Sequence, residues 1–349
     1  MSRTGRVHRG TARLLVAAVL AVLGLLGVAA PAGAAPVPAG GSDGRAAVRD
    51  LYRQPFSWDS PWNLPLATSA RYVPFDSGAS RIYLDIEDIS VDPAFPVRTL
   101  NASGRSVRVH TDPELTADGS WNHCATFLVD DGGRRTVVQG QPLRLERGGD
   151  PSYEYAWPEV SLTSTGLPGC HGGSGLSGLG GSVRVGEIRG PEPIRHALKI
   201  SLNCSRSCST AERGFRWPAT KADGYYAGHY GGKNPGVRMG SLMAIPPDAD
   251  LSGITAPDVR KVAEAMQTYG AYVVDDTFGR TTNSLSVQAG AQEELPNLES
   301  GQMREVFRLL DLVDNNAPET PGGGPLGSPR RAPCAGPFAD GTGGAPPGC

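Results

Sequence analysis

The sequence predicts an all-β protein, a single β-sandwich of the jelly-roll type with one short helix. Segments in which apolar and polar residues alternate recur along the chain, a pattern typical of half-buried strands. The 47 glycines and 30 prolines supply frequent turns between these segments. Only one segment carries a full helical pattern, whereas a sheet of alternating strands and helices would need several.

Residues 1–34 are predicted to be a secretory signal peptide. Four arginines precede the apolar segment Leu14–Ala29, and Ala32-Gly33-Ala34 has the small-residue pattern of a cleavage site. An uncleaved membrane anchor is the alternative. Cleavage removes four of the 33 basic side chains and leaves 29 against 35 acidic ones, a net charge of about −6. We therefore expect a secreted, extracellular protein that binds neither nucleic acid nor, in its mature form, a membrane.

The mature chain begins with a flexible lead-in over residues 35–50, which are rich in Ala, Pro and Gly. Residues 51–315 form the predicted β-sandwich domain. Its strands are expected at Tyr83–Ile89, Ser106–His110, Cys124–Val129, Arg135–Leu145, Tyr153–Leu162, Ser182–Ile188, Ile194–Leu202, Val237–Ile245, Ala271–Asp275 and Ser284–Gln288. The acids of the first strand, Asp85, Glu87 and Asp88, could bind calcium, although a solvated outer face is the simpler interpretation.

The one clear helix is predicted over Thr255–Tyr269. Thr255 can cap it, Pro257 suits its first turn, and Asp258 completes a capping box, while Gly270 ends it. Residues 316–349 are rich in Pro and Gly and poor in apolar side chains, so we expect a disordered tail.

Six cysteines in an exported chain predict disulfide bonds, for which 15 pairings exist. Local spacing favours Cys204–Cys208 and Cys334–Cys349, which leaves Cys124–Cys170 as the long-range bond. A zinc site is the alternative, but the Cys-x3-Cys segment has no second Cys/His pair at ligand spacing.

The candidate site is centred on His196. In Ile194–Ser201 the residues alternate, so His196 shares the inward row with Leu198 and Ile200. The histidine is either a hydrogen-bonded core residue or a general base with a pKa near neutrality.

Residues with complementary chemistry precede and follow His196. Upstream lie two arginines and an acid, and downstream lies a segment rich in Gly and Tyr. The candidates for catalysis are His196, Tyr225, Tyr230, Arg184 and Arg189, and those for substrate contact are Glu187, His123, His229, Lys233 and Trp157. Ordinary packing of the tyrosine rings and a surface position for His123 are the structural alternatives.

Other enzyme motifs are missing from the sequence. No Gly-x-Ser-x-Gly elbow stands between a strand and a helix, and no His-Glu-x-x-His occurs. The glycine run Gly169–Gly181 lacks the Gly-Lys-[Ser/Thr] of a phosphate loop, so we interpret it as backbone that turns tightly or passes close to another segment. We expect no metal and no cofactor.

The motif order resembles that of secreted alginate lyases of the β-jelly-roll type. In that family Arg-x-Glu-Leu-Arg precedes Gln-Ile-His and then Tyr-x-Lys-Ala-Gly-x-Tyr-x-Gln; here Arg184-Val-Gly-Glu-Ile-Arg189 precedes Arg195-His196 and the Tyr225–Tyr230 segment. The chain also resembles a broad set of secreted bacterial proteins that share Gly-Ser-Gly-Leu, Ile-x-His-Ala-Leu and Trp-Pro-Ala-x-x-x-Asp-Gly, a resemblance that implies no activity.

The lyase resemblance implies β-elimination of a uronic-acid polymer. Arg184 and Arg189 would bind the uronate carboxylate, His196 would be the base, and Tyr225 or Tyr230 the acid. The sequence therefore predicts a protein that acts on extracellular polysaccharide. A non-catalytic carbohydrate-binding protein is the alternative, and a surface or matrix protein is the third hypothesis.

Overall fold

The computed structural model describes residues 47–78, 80–117, 124–278, 282–347 and 349. Within them thirteen strands form one mixed sheet. The strands are β1 (Tyr72–Val73), β2 (Arg81–Ser90), β3 (Val97–Ala102), β4 (Arg105–His110), β5 (Ala125–Val129), β6 (Thr136–Leu145), β7 (Pro151–Ala156), β8 (Val160–Ser161), β9 (Leu198–Leu202), β10 (Leu242–Ala244), β11 (Ala271–Asp276), β12 (Thr282–Gln288) and β13 (Asp311–Val313). The α-helices are α1 (Tyr226–His229), α2 (Pro257–Thr268) and α3 (Gln302–Arg308). The predicted all-β class is confirmed.

The strand order is β1-β13-β10-β11-β9-β12-β2-β5-β4-β3-β7-β6-β8. A further pairing of β5 with β6 closes β5, β4, β3, β7 and β6 into a ring around a small apolar core that includes Leu100, Phe127 and Leu143. The long strand β2 connects the two regions, because Arg81–Glu87 pairs with β12 whereas Asp88–Ser90 pairs with β5.

The predicted helix is present as α2, with Val259, Val262 and Met266 buried against the sheet. The predicted cap is wrong: Ala256 occupies the cap position, and the side-chain oxygen of Gln302 accepts the N–H groups of Thr255 and Ala256 instead. The Asp258 carboxylate accepts two hydrogen bonds from Asn297 and makes no capping bond.

One predicted strand, Ser182–Ile188, consists mainly of turns, because carboxylates bind its amide groups in place of a neighbouring strand. Glu294 accepts the N–H groups of Gly186, Ile188 and Arg189, and Glu187 accepts that of Arg184.

All six cysteines are paired as predicted, in Cys124–Cys170, Cys204–Cys208 and Cys334–Cys349. The predicted signal peptide lies outside the described residues. None of the helices in the described part of the chain is long and apolar enough to cross a membrane.

The tail after Asn316, predicted to be disordered, follows a defined path against the domain in its described part. Arg330 donates to the carbonyl of Pro65 at 2.9 Å and Arg331 to that of Gln267 at 2.7 Å. The ring of Phe338 is buried beneath the Arg49 guanidinium. Composition alone misses this arrangement because a few long side chains, rather than an apolar core, hold the segment in place.

Candidate functional site

One face of the sheet is polar where β11, β9, β12 and β2 lie side by side. Backbone register places Asp275 opposite Ser201, Ser201 opposite Ser284, and Ser286 opposite Asp85. Directly opposed residues project to the same face of a sheet, and alternate residues along each strand share it. The polar face therefore consists of Tyr83, Asp85, Glu87, Lys199, Ser201, Asp275, Ser284 and Ser286.

The glycine-rich segment covers this polar face. The carbonyl groups of Ser177 and Gly178 bind the Lys199 ammonium, and that of Gly181 accepts the Lys199 backbone N–H. A Cβ atom on Gly181 would sit 2.6 Å from the Lys199 side chain, too close for any other residue. The interpretation of a close backbone passage is thus confirmed, and this passage buries the polar face.

A charged network fills the interior of the site. Lys199 is 0% exposed, and its Nζ donates to Glu87 Oε2 at 2.7 Å. His171 Nε2 lies 2.8 Å from Glu87 Oε1, and Ser182 donates its hydroxyl to Glu87 Oε2 at 2.7 Å. Burial disfavours the charged form of Glu87, but Lys199 and His171 outweigh burial and lower the Glu87 pKa to about 2.

His171 connects this network to Asp275, whose Oδ2 lies 3.8 Å from Nδ1. Burial and Lys199 lower the pKa of His171, but Glu87 and Asp275 outweigh both and raise it to about 9. Burial, only partly offset by Glu87, lowers the pKa of Lys199. Two carboxyl groups thus favour the cationic form of His171, whose Nε2 also lies 3.1 Å from the Lys199 ammonium.

The carboxyl groups of Asp223 and Asp275 lie together at the outer side of the network, and that of Asp85 interacts with Asp275 and Glu87. A Cβ atom on Gly173 would sit 2.7 Å from Asp275 Oδ1 and 3.2 Å from both carboxyl oxygens of Asp223, so these two acids are near neighbours. Burial, with repulsion from Asp275, raises the pKa of Asp223 to about 6. Burial, with repulsion from Glu87, raises the pKa of Asp85 to about 6.

The predicted tyrosines lie beside these acids. Tyr230 donates its hydroxyl to Asp223 Oδ2 at 2.5 Å, and Tyr225 donates to Asp276 Oδ2 at 3.3 Å. His229 Nε2 lies 3.0 Å from the same oxygen of Asp276. Burial and the nearby carboxylates raise the pKa of both tyrosines, so the phenols stay protonated and act as hydrogen-bond donors.

His196 belongs to a different cluster, close to Arg184 and Glu187. It precedes β9, and its Nε2 lies 3.1 Å from both carboxylate oxygens of Glu187, while Nδ1 lies 2.9 Å from the Ala197 carbonyl. The Arg184 guanidinium donates hydrogen bonds to the side-chain oxygen of Gln288 and to the Tyr52 carbonyl. The cluster forms one wall of a groove of about 320 Å³. Burial lowers the pKa of His196, but Glu187 outweighs it and raises the pKa above its usual value.

The remaining predicted residues are dispersed. Arg189 donates to the Glu293 carbonyl at 3.1 Å, and Lys233 is exposed. Trp157 is half-buried, with the Lys221 ammonium 5.8 Å from its ring centre. His123 lies outside the described residues. The lyase set is thus divided between two clusters, with Arg184, Glu187 and His196 in one and Tyr225, His229 and Tyr230 in the other.

The sequence does not predict Asp223, Asp275, His171 or Lys199 as site residues, and it suggests Glu87 only as a possible calcium ligand. The available signal is the row of polar residues at alternate positions on three strands; for the strand Tyr83–Ile89 the sequence alone predicts a solvated outer face. Among the described residues no group of three or more His, Cys, Asp or Glu side chains has a metal-binding arrangement, and Glu87 is bound by Lys199. Calcium binding by Asp85, Glu87 and Asp88 therefore finds no support.

Comparison of the chain with protein-family models, with curated proteins and with solved structures finds no match.

Proposed function

We propose that the protein is a secreted enzyme that hydrolyses glycosidic bonds of an extracellular polysaccharide. One observation carries the proposal: Asp223, with its pKa raised to about 6, lies beside Asp275 at the outer side of a buried charged network. Two neighbouring carboxyl groups, one able to hold a proton near neutral pH and one ionised, are what hydrolysis of a glycosidic bond requires.

In this mechanism the protonated Asp223 is the general acid. Its proton moves to the glycosidic oxygen as the bond from that oxygen to the anomeric carbon breaks. The Asp275 carboxylate stabilises the positive charge that develops on the sugar and either activates a water molecule or attacks the anomeric carbon. Tyr230 donates to Asp223 and holds the carboxyl group in place.

The buried network positions these groups without touching the substrate. His171 Nδ1 lies 3.8 Å from Asp275 Oδ2 and fixes the orientation of this carboxyl group. Glu87 forms an ion pair with His171, and Lys199 forms an ion pair with Glu87. Charges fixed in a buried site interact more strongly than charges in water. Lys199, Glu87 and His171 are therefore positioning residues.

The charge of the site favours hydrolysis over the β-elimination suggested by the sequence. Elimination requires a cation that neutralises the uronate carboxylate. Here the outer side of the network carries Asp85, Asp223 and Asp275, and the interior cations Lys199 and His171 are bound to Glu87. A uronate would therefore find Lys199 and His171 already paired with Glu87, whereas a neutral sugar would meet carboxyl groups able to form hydrogen bonds.

Three disulfide bonds and the predicted signal peptide support an extracellular location, because such bonds persist in oxidising compartments.

The test is incubation of the purified mature protein with soluble neutral polysaccharides and with alginate. We expect reducing ends from a neutral polysaccharide without the ultraviolet absorbance of unsaturated products, and a loss of about 10²-fold or more in Asp223→Asn and Asp275→Asn. Asp248→Asn, an exposed carboxylate, is the matched control and keeps full activity. Unsaturated products from alginate would establish elimination instead. Binding without any product would establish a carbohydrate-binding protein.

A further inference from the structure

Three rings form an exposed aromatic cluster next to the carboxyl groups. Tyr225 immediately precedes α1, His229 ends it, and Phe278 follows β11. The rings of His229 and Phe278 are stacked, with centroids 5.5 Å apart and an angle of 18° between their planes. Tyr225 stands edge-on to both, at 5.3 Å from His229 and 5.2 Å from Phe278. We call Tyr225, His229 and Phe278 the aromatic platform.

The aromatic platform is unfavourable for the stability of the folded protein. Phe278 is 67% exposed, the largest fraction among the exposed large hydrophobic side chains of the described residues, and Tyr225 is 40% exposed. The backbone of Phe278 is also in the left-handed region, with a φ of 49°, a conformation that bulky residues rarely adopt. Within the described residues the contacts with Tyr225 and His229 leave most of the Phe278 side chain exposed, and strained, exposed residues of this kind concentrate at binding sites.

The platform is connected to the carboxyl groups through Asp276. The Tyr225 hydroxyl donates to Asp276 Oδ2, and His229 Nε2 lies 3.0 Å from the same oxygen. Asp276 follows Asp275 directly, and its other oxygen accepts the backbone N–H of Cys204, so the connection is rigid. The Tyr225 hydroxyl also interacts with the Asp223 carboxyl group, so a ligand on the platform would lie next to Asp223.

We propose that the aromatic platform is a subsite for a neutral pyranose ring of the polysaccharide chain, an inference that rests on the proposed function. A pyranose presents C–H groups on its face, which pack on aromatic rings, and hydroxyl groups on its edge, which donate to carboxylates. The platform offers the first surface, and the Asp223 carboxyl group, which interacts with the Tyr225 hydroxyl, offers a hydrogen-bonding partner beside it. A uronate carboxylate next to Asp223 would oppose ionisation of that group and gain no cationic partner from it, so the site selects neutral over acidic polymers.

Affinity electrophoresis through gels that contain arabinoxylan, galactomannan or β-glucan, with alginate as the anionic comparison, tests the subsite. We expect retardation of the wild-type protein by at least one neutral polysaccharide and not by alginate. Phe278→Ala should weaken this binding about 3- to 10-fold and raise KM with little change in kcat, whereas Phe278→Trp should retain binding. Leu326→Ala, an exposed apolar side chain elsewhere, is the matched control and should bind like wild type.

The binding and product measurements separate the two proposals. Asp223→Asn should remain retarded by the same polysaccharide while releasing no product. If Phe278→Ala binds like wild type, or if alginate alone retards the protein, the subsite is wrong whatever the enzyme does. If Phe278→Ala loses binding and the wild-type protein releases no product, the subsite stands and the hydrolase proposal fails.

Discussion

Replacing Lys199 with Met tests the buried charged network, because it removes the main partner of Glu87 and keeps an unbranched side chain. The folded protein lowers the Glu87 pKa from 4.5 to about 2. A difference of this size corresponds to about 3 kcal/mol of stability above pH 5. Leaving a buried charge without its partner costs about 3–5 kcal/mol. We therefore expect Lys199→Met to lose about 3 kcal/mol in free energy of unfolding at pH 7.

The pH dependence of this loss identifies its cause. In the wild-type protein the lowered pKa of Glu87 stabilises the fold above pH 4.5, and this contribution falls as pH drops towards 2. In Lys199→Met, burial raises the Glu87 pKa, with only His171 and Ser182 left to bind the carboxylate. Stability of the variant should therefore fall as pH rises above 4.5, so that its deficit is smallest near pH 4 and largest near pH 8.

Urea unfolding of both proteins between pH 4 and pH 8 is the assay. The control is Arg81→Met, which breaks the exposed ion pair with Glu299 and should cost less than about 1 kcal/mol at every pH. The double variant Lys199→Met/Glu87→Gln should recover part of the loss, because no buried charge remains. A deficit no larger than that of Arg81→Met, or one independent of pH, would refute the buried network.

Further predictions concern individual side chains. His196→Gln should leave turnover within a few-fold of wild type but lower the melting temperature, because Glu187 loses its ionic partner. A loss of about 10²-fold in kcat at unchanged stability would instead show that His196 acts as the catalytic base. Ser286→Ala should raise the free energy of unfolding slightly, because the fully buried hydroxyl has no hydrogen-bond partner among the described residues. Destabilisation by more than about 1 kcal/mol in urea would disprove this. Because Asp223 must be protonated to act, kcat/KM should fall as pH rises through about 6; a rate that increases across this range would remove Asp223 from the role of acid.

The elements carried by local patterns could be predicted from the sequence. The period of the polar and apolar residues predicts most strands and α2, and cysteine spacing predicts all three disulfides. The order of the strands could not be predicted, because β2, β9, β11 and β12 pair across large separations in sequence. Nothing in a local pattern specifies such pairings.

The site was missed because burial depends on what covers a strand. Lys199 and Ser201 alternate with apolar residues, and this pattern normally indicates a solvated face. The glycine-rich segment covers that face and supplies the carbonyl groups that bind Lys199. His196 was assigned to the inward row of a strand, yet the strand begins at Leu198, and the histidine instead pairs with Glu187. The tyrosines were identified, because a Gly/Tyr-rich segment is visible without knowledge of the sheet.

The central claim is that Asp223 protonates the leaving oxygen of a glycosidic bond. The most direct test compares the effect of Asp223→Asn on two substrates whose leaving groups differ in their need for a proton. The rate of Asp223→Asn relative to wild type is measured on the cleaved polysaccharide and on a dinitrophenyl glycoside of the same sugar, whose leaving group needs no proton. We expect a loss of about 10²-fold or more on the polysaccharide and less than about 10-fold on the dinitrophenyl glycoside. An equal loss on both substrates would contradict the assignment of Asp223 as the general acid.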